Sequence, residues 1–178
     1  KTTELAAEHG GQVLVAPMKV GDLGTMAFYV DPGGAAIGAW QSEKFAGQGV
    51  IGESGTPSWF ELHTTLYQPA LVFYRDVFGW DPQPVSDDPS FRYTVLRNEA
   101  DMLAGVMDAS AFWPEGEASR WAVYVKVDDT DATLARAVEL GGTVVDAAED
   151  TPYGRLATAT DPTGATFKLL GTNLSAAR

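Results

Sequence analysis

Two stretches of this chain, GTMAFYVDPGGAAIGAW at residues 24–40 and GRLATATDPTGATFKLL at residues 154–170, spell one unit twice, 130 residues apart. The likeness reaches further back, since ELAAEHGGQVL matches TLARAVELGGTVV, and after a one-residue slip the turns align at Asp31-Pro32 and Asp161-Pro162. A duplicated unit restricts the fold more than any composition does, because each copy exposes a sheet face that another copy has to cover. Each copy reads as a helix ending in Gly-Gly, an extended segment, a turn, a second strand, the Asp-Pro turn and a third strand. Gly10 and Gly141 stand where a helix end calls for positive φ. Asp-Pro followed by glycine makes a tight hairpin connection.

The later copy has more in front of it. In RWAVYVKVDD, Trp121, Val123, Val125 and Val127 alternate with Ala122, Tyr124 and Lys126, the period of a half-buried strand. Asp129 or Thr130 then caps a helix with the apolar stripe Leu134, Ala137 and Val138, so the complete unit is βαβββ. A third, divergent version lies between the copies. SWFELHTT alternates Phe60 and Leu62 with Trp59, Glu61 and His63, and QPALVFYRDVFGW is a helix with Pro69 near its start. Its buried stripe is Ala70, Phe73, Tyr74, Val77 and Phe78, and Gly79 ends it. FRYTVL and DMLAGVM supply two later strands around the polar turn RNEA. The organisation expected is residues 1–41 as the last part of a first domain, 42–55 as a linker, 56–173 as a complete pair of modules and 174–178 as a tail.

Composition removes several classes of function. The 178 residues are 45% hydrophobic, enough for a sizeable core, and the net charge of -12 repels phosphate backbones and anionic membranes. Nucleic acid and membrane partners are therefore not expected. There is no cysteine, which excludes disulfides, thiolate metal sites and cysteine nucleophiles. No apolar run reaches membrane-spanning length and KTTELAAEHGG is no signal peptide, so the expected location is cytoplasmic. The chain opens without methionine, inside a helix, and reads as a section of something longer. Residues 1–41 lack an opening strand, leaving a sheet edge and an apolar face that preceding residues or a second copy in a homodimer are expected to cover.

Paired βαβββ modules, the helix FYRDVFGW, the strand running into VDDTDA, then ELGG and GRLATATDPTGATF resemble the vicinal oxygen chelate superfamily of glyoxalases, bleomycin-resistance proteins and extradiol dioxygenases, in its tandem two-domain form. The resemblance covers nearly the whole chain. It implies an α+β fold in which paired modules form a cupped, half-barrel mixed sheet with helices outside, around a divalent metal and a small organic ligand.

Members with a catalytic metal carry histidine or glutamine on the first strand of each module and glutamate on the last. Here the first-strand positions hold Trp59 and Ala122, and the last-strand positions hold Lys168 and, in the early copy, Gly38. An ammonium has no lone pair to give and repels a divalent ion. No metal or other cofactor is therefore expected, with a displaced ion on Glu61 and His63 as the alternative; two ligands are not three. Taken literally, alternation turns Trp59, Glu61, His63, Ala122, Tyr124, Lys126, Thr166 and Lys168 inward as a ligand-binding set, or Trp59 and Tyr124 merely fill the core and Lys168 pairs with Glu61. Glu61, His63 and Tyr124 are the candidate catalytic groups. Two functions follow from the resemblance: sequestration of a small aromatic or polyketide-like molecule without the usual metal, favoured by the substituted positions, or an enzyme (lyase, isomerase, dioxygenase or so-called hydroxylase of antibiotic metabolism) with a divergent site.

Other motifs weaken. GQGVIG at residues 47–52 fits a dinucleotide fingerprint, but ESGTPSW after it opens no helix and the stretch reads as linker. VDDTDA lacks the glycine and distal glutamate of a calcium loop, and helix capping explains it. Asn173 heads a formal glycosylation sequon without export signals. The aromatics Trp80, Phe91, Phe112, Trp113 and Trp121 read as packing rather than a binding platform.

Overall fold

A computed structural model of the protein describes residues 1–174. In chain order the elements are α1 (Thr2–Glu8), β1 (Gln12–Val20), β2 (Gly24–Val30), β3 (Ala36–Ser42), β4 (Pro57–Thr64), α2 (Tyr67–Phe78), β5 (Asp81–Asp88), β6 (Phe91–Asn98), β7 (Asp101–Asp108), β8 (Arg120–Val127), α3 (Thr130–Glu139), β9 (Thr143–Thr151), β10 (Gly154–Thr160) and β11 (Thr166–Gly171). The class is α+β, with two βαβββ modules preceded by an αβββ set. The chain divides into two compact units, Lys1–Gly49 with Glu61–Trp121, and Val50–Phe60 with Ala122 onwards.

In the first unit β1, β2 and β3 form an antiparallel sheet. Ala27 and Tyr29 on β2 turn into a core shared with Ala6, Leu62, Phe73, Tyr74 and Leu96. The alternate residues of the same sheet face away from it, and Met18 and Phe28 stay 47% and 38% exposed. The second half of β4 pairs in parallel with β7, Glu61 beside Gly105 and His63 beside Met107, and β7 continues through β6 to β5. α2 buries Tyr67, Ala70, Phe73, Tyr74 and Val77, the expected stripe, and ends at Gly79 with φ 71°. β5, sequence DPQPVSDD, was not legible as a strand: its two prolines and three aspartates suit an edge, where unpaired N–H groups are not needed and charge discourages further pairing.

In the second unit the first half of β4 meets β8, with Lys126 N–H donating to the Thr56 carbonyl at 2.9 Å. β8 runs parallel to β11, which is antiparallel to β10, and β10 to β9. Val127, Leu134, Ala157, Ala159 and Leu169 form its core. Asp129 caps α3, accepting from Ala132 N–H at 3.0 Å, as the capping reading of VDDTDA requires. Val138, placed on the buried stripe by periodicity, is instead 48% exposed, because only Leu134 and its near neighbours on this short helix reach the sheet.

The two Asp-Pro turns are alike in detail. Asp31 Oδ1 accepts from Gly33 N–H at 2.9 Å and Ala35 N–H at 2.8 Å, while Asp161 Oδ1 accepts from Thr163 N–H at 2.8 Å and Ala165 N–H at 2.9 Å. Their surroundings differ. Asp31 is buried and accepts from the Tyr74 hydroxyl at 3.0 Å, and that burial pushes its carboxyl above the usual range against the pull of its donors. Burial, then the Asp31 charge, push the Tyr74 phenol up as well. At Asp161 the hydrogen bonds prevail, the Thr163 hydroxyl first, and the carboxyl is held low.

Candidate functional site

Leu62 is fully buried in the first unit's core, so its neighbours Glu61 and His63 point to the other face of β4. Both are nearly buried, at 7% and 9% exposure, which makes their partners decisive. His63 Nε2 lies 2.6 Å from Glu61 Oε1, and the Tyr93 hydroxyl donates to Glu61 Oε2 at 2.8 Å. Register explains the arrival of Tyr93. On β6 it pairs with Met107, which on β7 pairs with His63, so the three residues form a row across the sheet. Gly105, beside Glu61, has no side chain to block the phenol. An ionised carboxylate only accepts, so, facing one, Nε2 carries a proton; Nδ1 has no hydrogen-bond partner among the described residues and in the neutral imidazole would present a lone pair.

The His63 ring rests against Trp113, centroids 5.8 Å apart, and the Arg120 guanidinium carbon lies 3.9 Å from the centre of the Trp113 ring while the same group pairs with Glu117 at 3.0 Å. The connection between β7 and β8 that carries Trp113 is tied down at both ends: Ala109 N–H donates to the Thr64 carbonyl, Ser119 N–H to the Gly33 carbonyl, and the Ser119 and Thr64 hydroxyls meet at 2.6 Å. Trp113 also lines a cavity of about 530 Å³ together with Gly33, Thr65, Ser110 and Glu117.

In the second unit Lys168 pairs in register with Tyr124, and its ammonium lies 5.1 Å from the centre of the Tyr124 ring. Tyr124 is buried, Lys126 and Lys168 half-buried, and Leu169 and Val127 occupy the opposite, helix-side face, as alternation demands. Ala122 and Trp59 are half-buried on β8 and the first half of β4; Thr166, opposite Thr160 at the start of β11, is exposed. The structure thus joins Glu61 with His63 and Tyr124 with Lys168. Sequence reasoning missed Tyr93, Trp113 and Arg120. Alternation in FRYTVL could have put Tyr93 on one face, but not beside Glu61. Of the aromatics read as packing, Trp80 and Trp121 do pack against the core, whereas Phe91 and Phe112 are 42% and 63% exposed.

The positions at which the resemblance implies ligands for a divalent ion hold other groups. Glu61 and His63 spend their facing atoms on each other, Gly38 lies under the Phe28 ring, and Lys168 offers an ammonium. No group of three or more histidine, aspartate or glutamate side chains able to hold an ion occurs among the described residues. The stretch at residues 47–52 starts no helix. Asn173 turns its side chain inward, accepting from Thr130 N–H and donating to Asp129. Among the described residues no helix is long and apolar enough to cross a membrane.

A family model described as a glyoxalase-like domain matches residues 59–170. The Mycobacterium tuberculosis protein named "Putative glyoxylase CFP32" is 38% identical over 162 residues, which are 90% of this chain and 61% of that protein. The anthracycline biosynthesis protein DnrV of Streptomyces peucetius is 37% identical over 165 residues, 90% of this chain and 58% of that protein. The chain therefore spans about three fifths of the length of these relatives. Among solved structures, the Mn(II)-bound glyoxalase from Novosphingobium aromaticivorans superposes with a TM-score of 0.59 at 17% identity, covering 96% of this chain and 57% of that one. The 2,2',3-trihydroxybiphenyl 1,2-dioxygenase of Sphingomonas wittichii gives 0.60 at 12% identity, covering 96% and 65%. These structural likenesses establish the vicinal oxygen chelate fold.

Proposed function

Because the chain belongs to the glyoxalase-like domain family, we propose that it binds a small, aromatic or polyketide-like organic molecule without the metal that such folds commonly use. The observation that carries this reading is the closed cluster of Glu61, His63 and Tyr93, in which each carboxylate oxygen already holds a protein donor. A carboxylate so engaged orients polar groups of a ligand instead of ligating an ion. The second unit by itself offers Tyr124 and Lys168, paired in register, as an apolar ring and a charge for such a ligand. The naming of the relatives DauV and DnrV for anthracycline biosynthesis supports an aromatic polyketide as the ligand class.

One observation favours a second reading, catalysis by a divergent site of lyase, isomerase, dioxygenase or hydroxylase type. With Nε2 committed to Glu61, the Nδ1 lone pair of His63 is positioned as a proton acceptor, the arrangement of a base oriented by a carboxylate. Elemental analysis of purified protein, joined to titration with the planar probes 2-(hydroxymethyl)anthraquinone and anthraquinone-2-carboxylate, separates the readings. Binding of either probe that survives chelation and weakens about tenfold in His63→Ala supports sequestration. Stoichiometric manganese, iron or zinc that disappears in His63→Ala overturns the metal-free site, and failure of both probes overturns the ligand class.

A further inference from the structure

We propose that the face of β8, β11 and β10 carrying Tyr124, Lys168 and Thr158 is an oxyanion site, which takes a carboxylate or phenolate group of the organic ligand. The proposal rests on the small-molecule reading above and adds the charge of the ligand to it. Three observations within the second unit support it.

The first is an imbalance of charge. The chain has twice as many acids as bases, 24 against 12, so a cation without an acidic neighbour is an exception in it. Of the five lysines, Lys19 and Lys44 hold Glu43 and Asp22, and Lys1 lies at the exposed start of the chain. Lys126 and Lys168 are half-buried and neither has an ion-pair partner among the described residues; Lys168 has the Tyr124 ring alone. Withdrawing an ammonium from water without an anion is unfavourable, and an anionic ligand would relieve that cost.

The second is register. Lys168 lies between Tyr124 on β8 and Thr158 on β10, all three directly opposite one another and therefore on one face. Lys126, two residues beyond Tyr124, shares that face. Ala157, Ala159 and Leu169 take the other face with α3. Within the second unit the acid in this row, Asp146 opposite Thr158 on β9, is exposed and two strands from Lys168, about 10 Å at the usual strand spacing, too far to neutralise it directly.

The third is an available hydroxyl. Thr158 is 6% exposed, and its Oγ1 makes no hydrogen bond with any described residue while keeping some contact with solvent. A hydroxyl free to turn toward a ligand beside an ammonium without an ion-pair partner makes a donor pair suited to one oxyanion, the ammonium supplying charge and the hydroxyl direction.

Competition between anthraquinone-2-carboxylate and its neutral counterpart 2-(hydroxymethyl)anthraquinone tests this on the whole chain. The carboxylate is expected to bind at least about tenfold more tightly to the unaltered protein. That preference should vanish in Lys168→Gln, return in Lys168→Arg and shrink about threefold in Thr158→Val. Lys126→Gln, on the same face, provides a second variant should Lys168→Gln fold poorly, and it too should lower the preference. Equal affinity of the two probes, or a preference that persists in both lysine variants, overturns the oxyanion site while leaving small-molecule binding in place. Failure of both probes to bind overturns both.

Discussion

His63 Nε2 and Glu61 Oε1 stand 2.6 Å apart on one strand, two residues from each other and nearly out of contact with water, with Tyr93 closing the second oxygen at 2.8 Å. An amide in place of the carboxylate accepts at one end and donates at the other, so one of the two donors loses its acceptor. Glu61→Gln is therefore expected to cost about 1–3 kcal/mol in urea denaturation, and Tyr93→Phe about 1 kcal/mol, since it removes one donor and leaves an oxygen short of a partner. Equal stability of both variants and the parent would show that the cluster is solvated, contrary to the geometry.

The buried turn aspartate gives a pH signature. Asp31 is held above its ordinary value of 3.8, so in the window just above that value the folded chain keeps a proton that the unfolded chain has released. Its contribution to stability therefore falls as pH rises through the window. Asp161, held low by the Thr163 hydroxyl and the Ala165 N–H, acts in the opposite sense, its contribution being lost as pH falls below 3.8. Denaturation curves from acid to neutral pH should show parent stability declining relative to Asp31→Asn as pH rises, and declining relative to Asp161→Asn as pH falls. Parallel curves for Asp31→Asn would remove the burial argument.

Gly33 touches the latch on the loop that carries Trp113. A Cβ there would lie 1.9 Å from Ser119 Oγ and 3.1 Å from Thr64 Oγ1. Gly33→Ala should destabilise by about 1–3 kcal/mol through overpacking, and Ser119→Ala by about 1 kcal/mol through loss of its hydrogen bond to Thr64. Together they should cost less than the sum, by about 1 kcal/mol or more, because the second change removes the atom that the first one strikes. Additive costs in thermal melts would contradict the contact.

Asn173 links the end of the described chain to the start of α3 through Thr130 N–H at 2.9 Å and Asp129 at 2.8 Å. Asn173→Ala is expected to cost about 1 kcal/mol, comparable to loss of a helix cap. Amide exchange should quicken in the first turn of α3 and remain unchanged in α2, which lies in the other unit.

Much of this architecture is local, and local structure is what a sequence specifies. The repeat, the stripe of α2, the alternation of β8, the glycine ends at Gly10 and Gly141 (φ 81° and 91°), the Asp129 cap and both Asp-Pro turns depend on residues a few positions apart, so spacing and residue type were sufficient to read them. The placement of Glu61 and His63 on one face of β4 belongs to the same class. Tertiary structure decided the rest. Alternation gives a side chain its face but not the strand beside it, which is why Tyr93 reaching Glu61 and Trp113 lying on His63 could not be anticipated. Two turns with the same hydrogen bonds hold their carboxylates in opposite directions because one was buried under Tyr74 and the other left near water, and burial is a property of the whole chain.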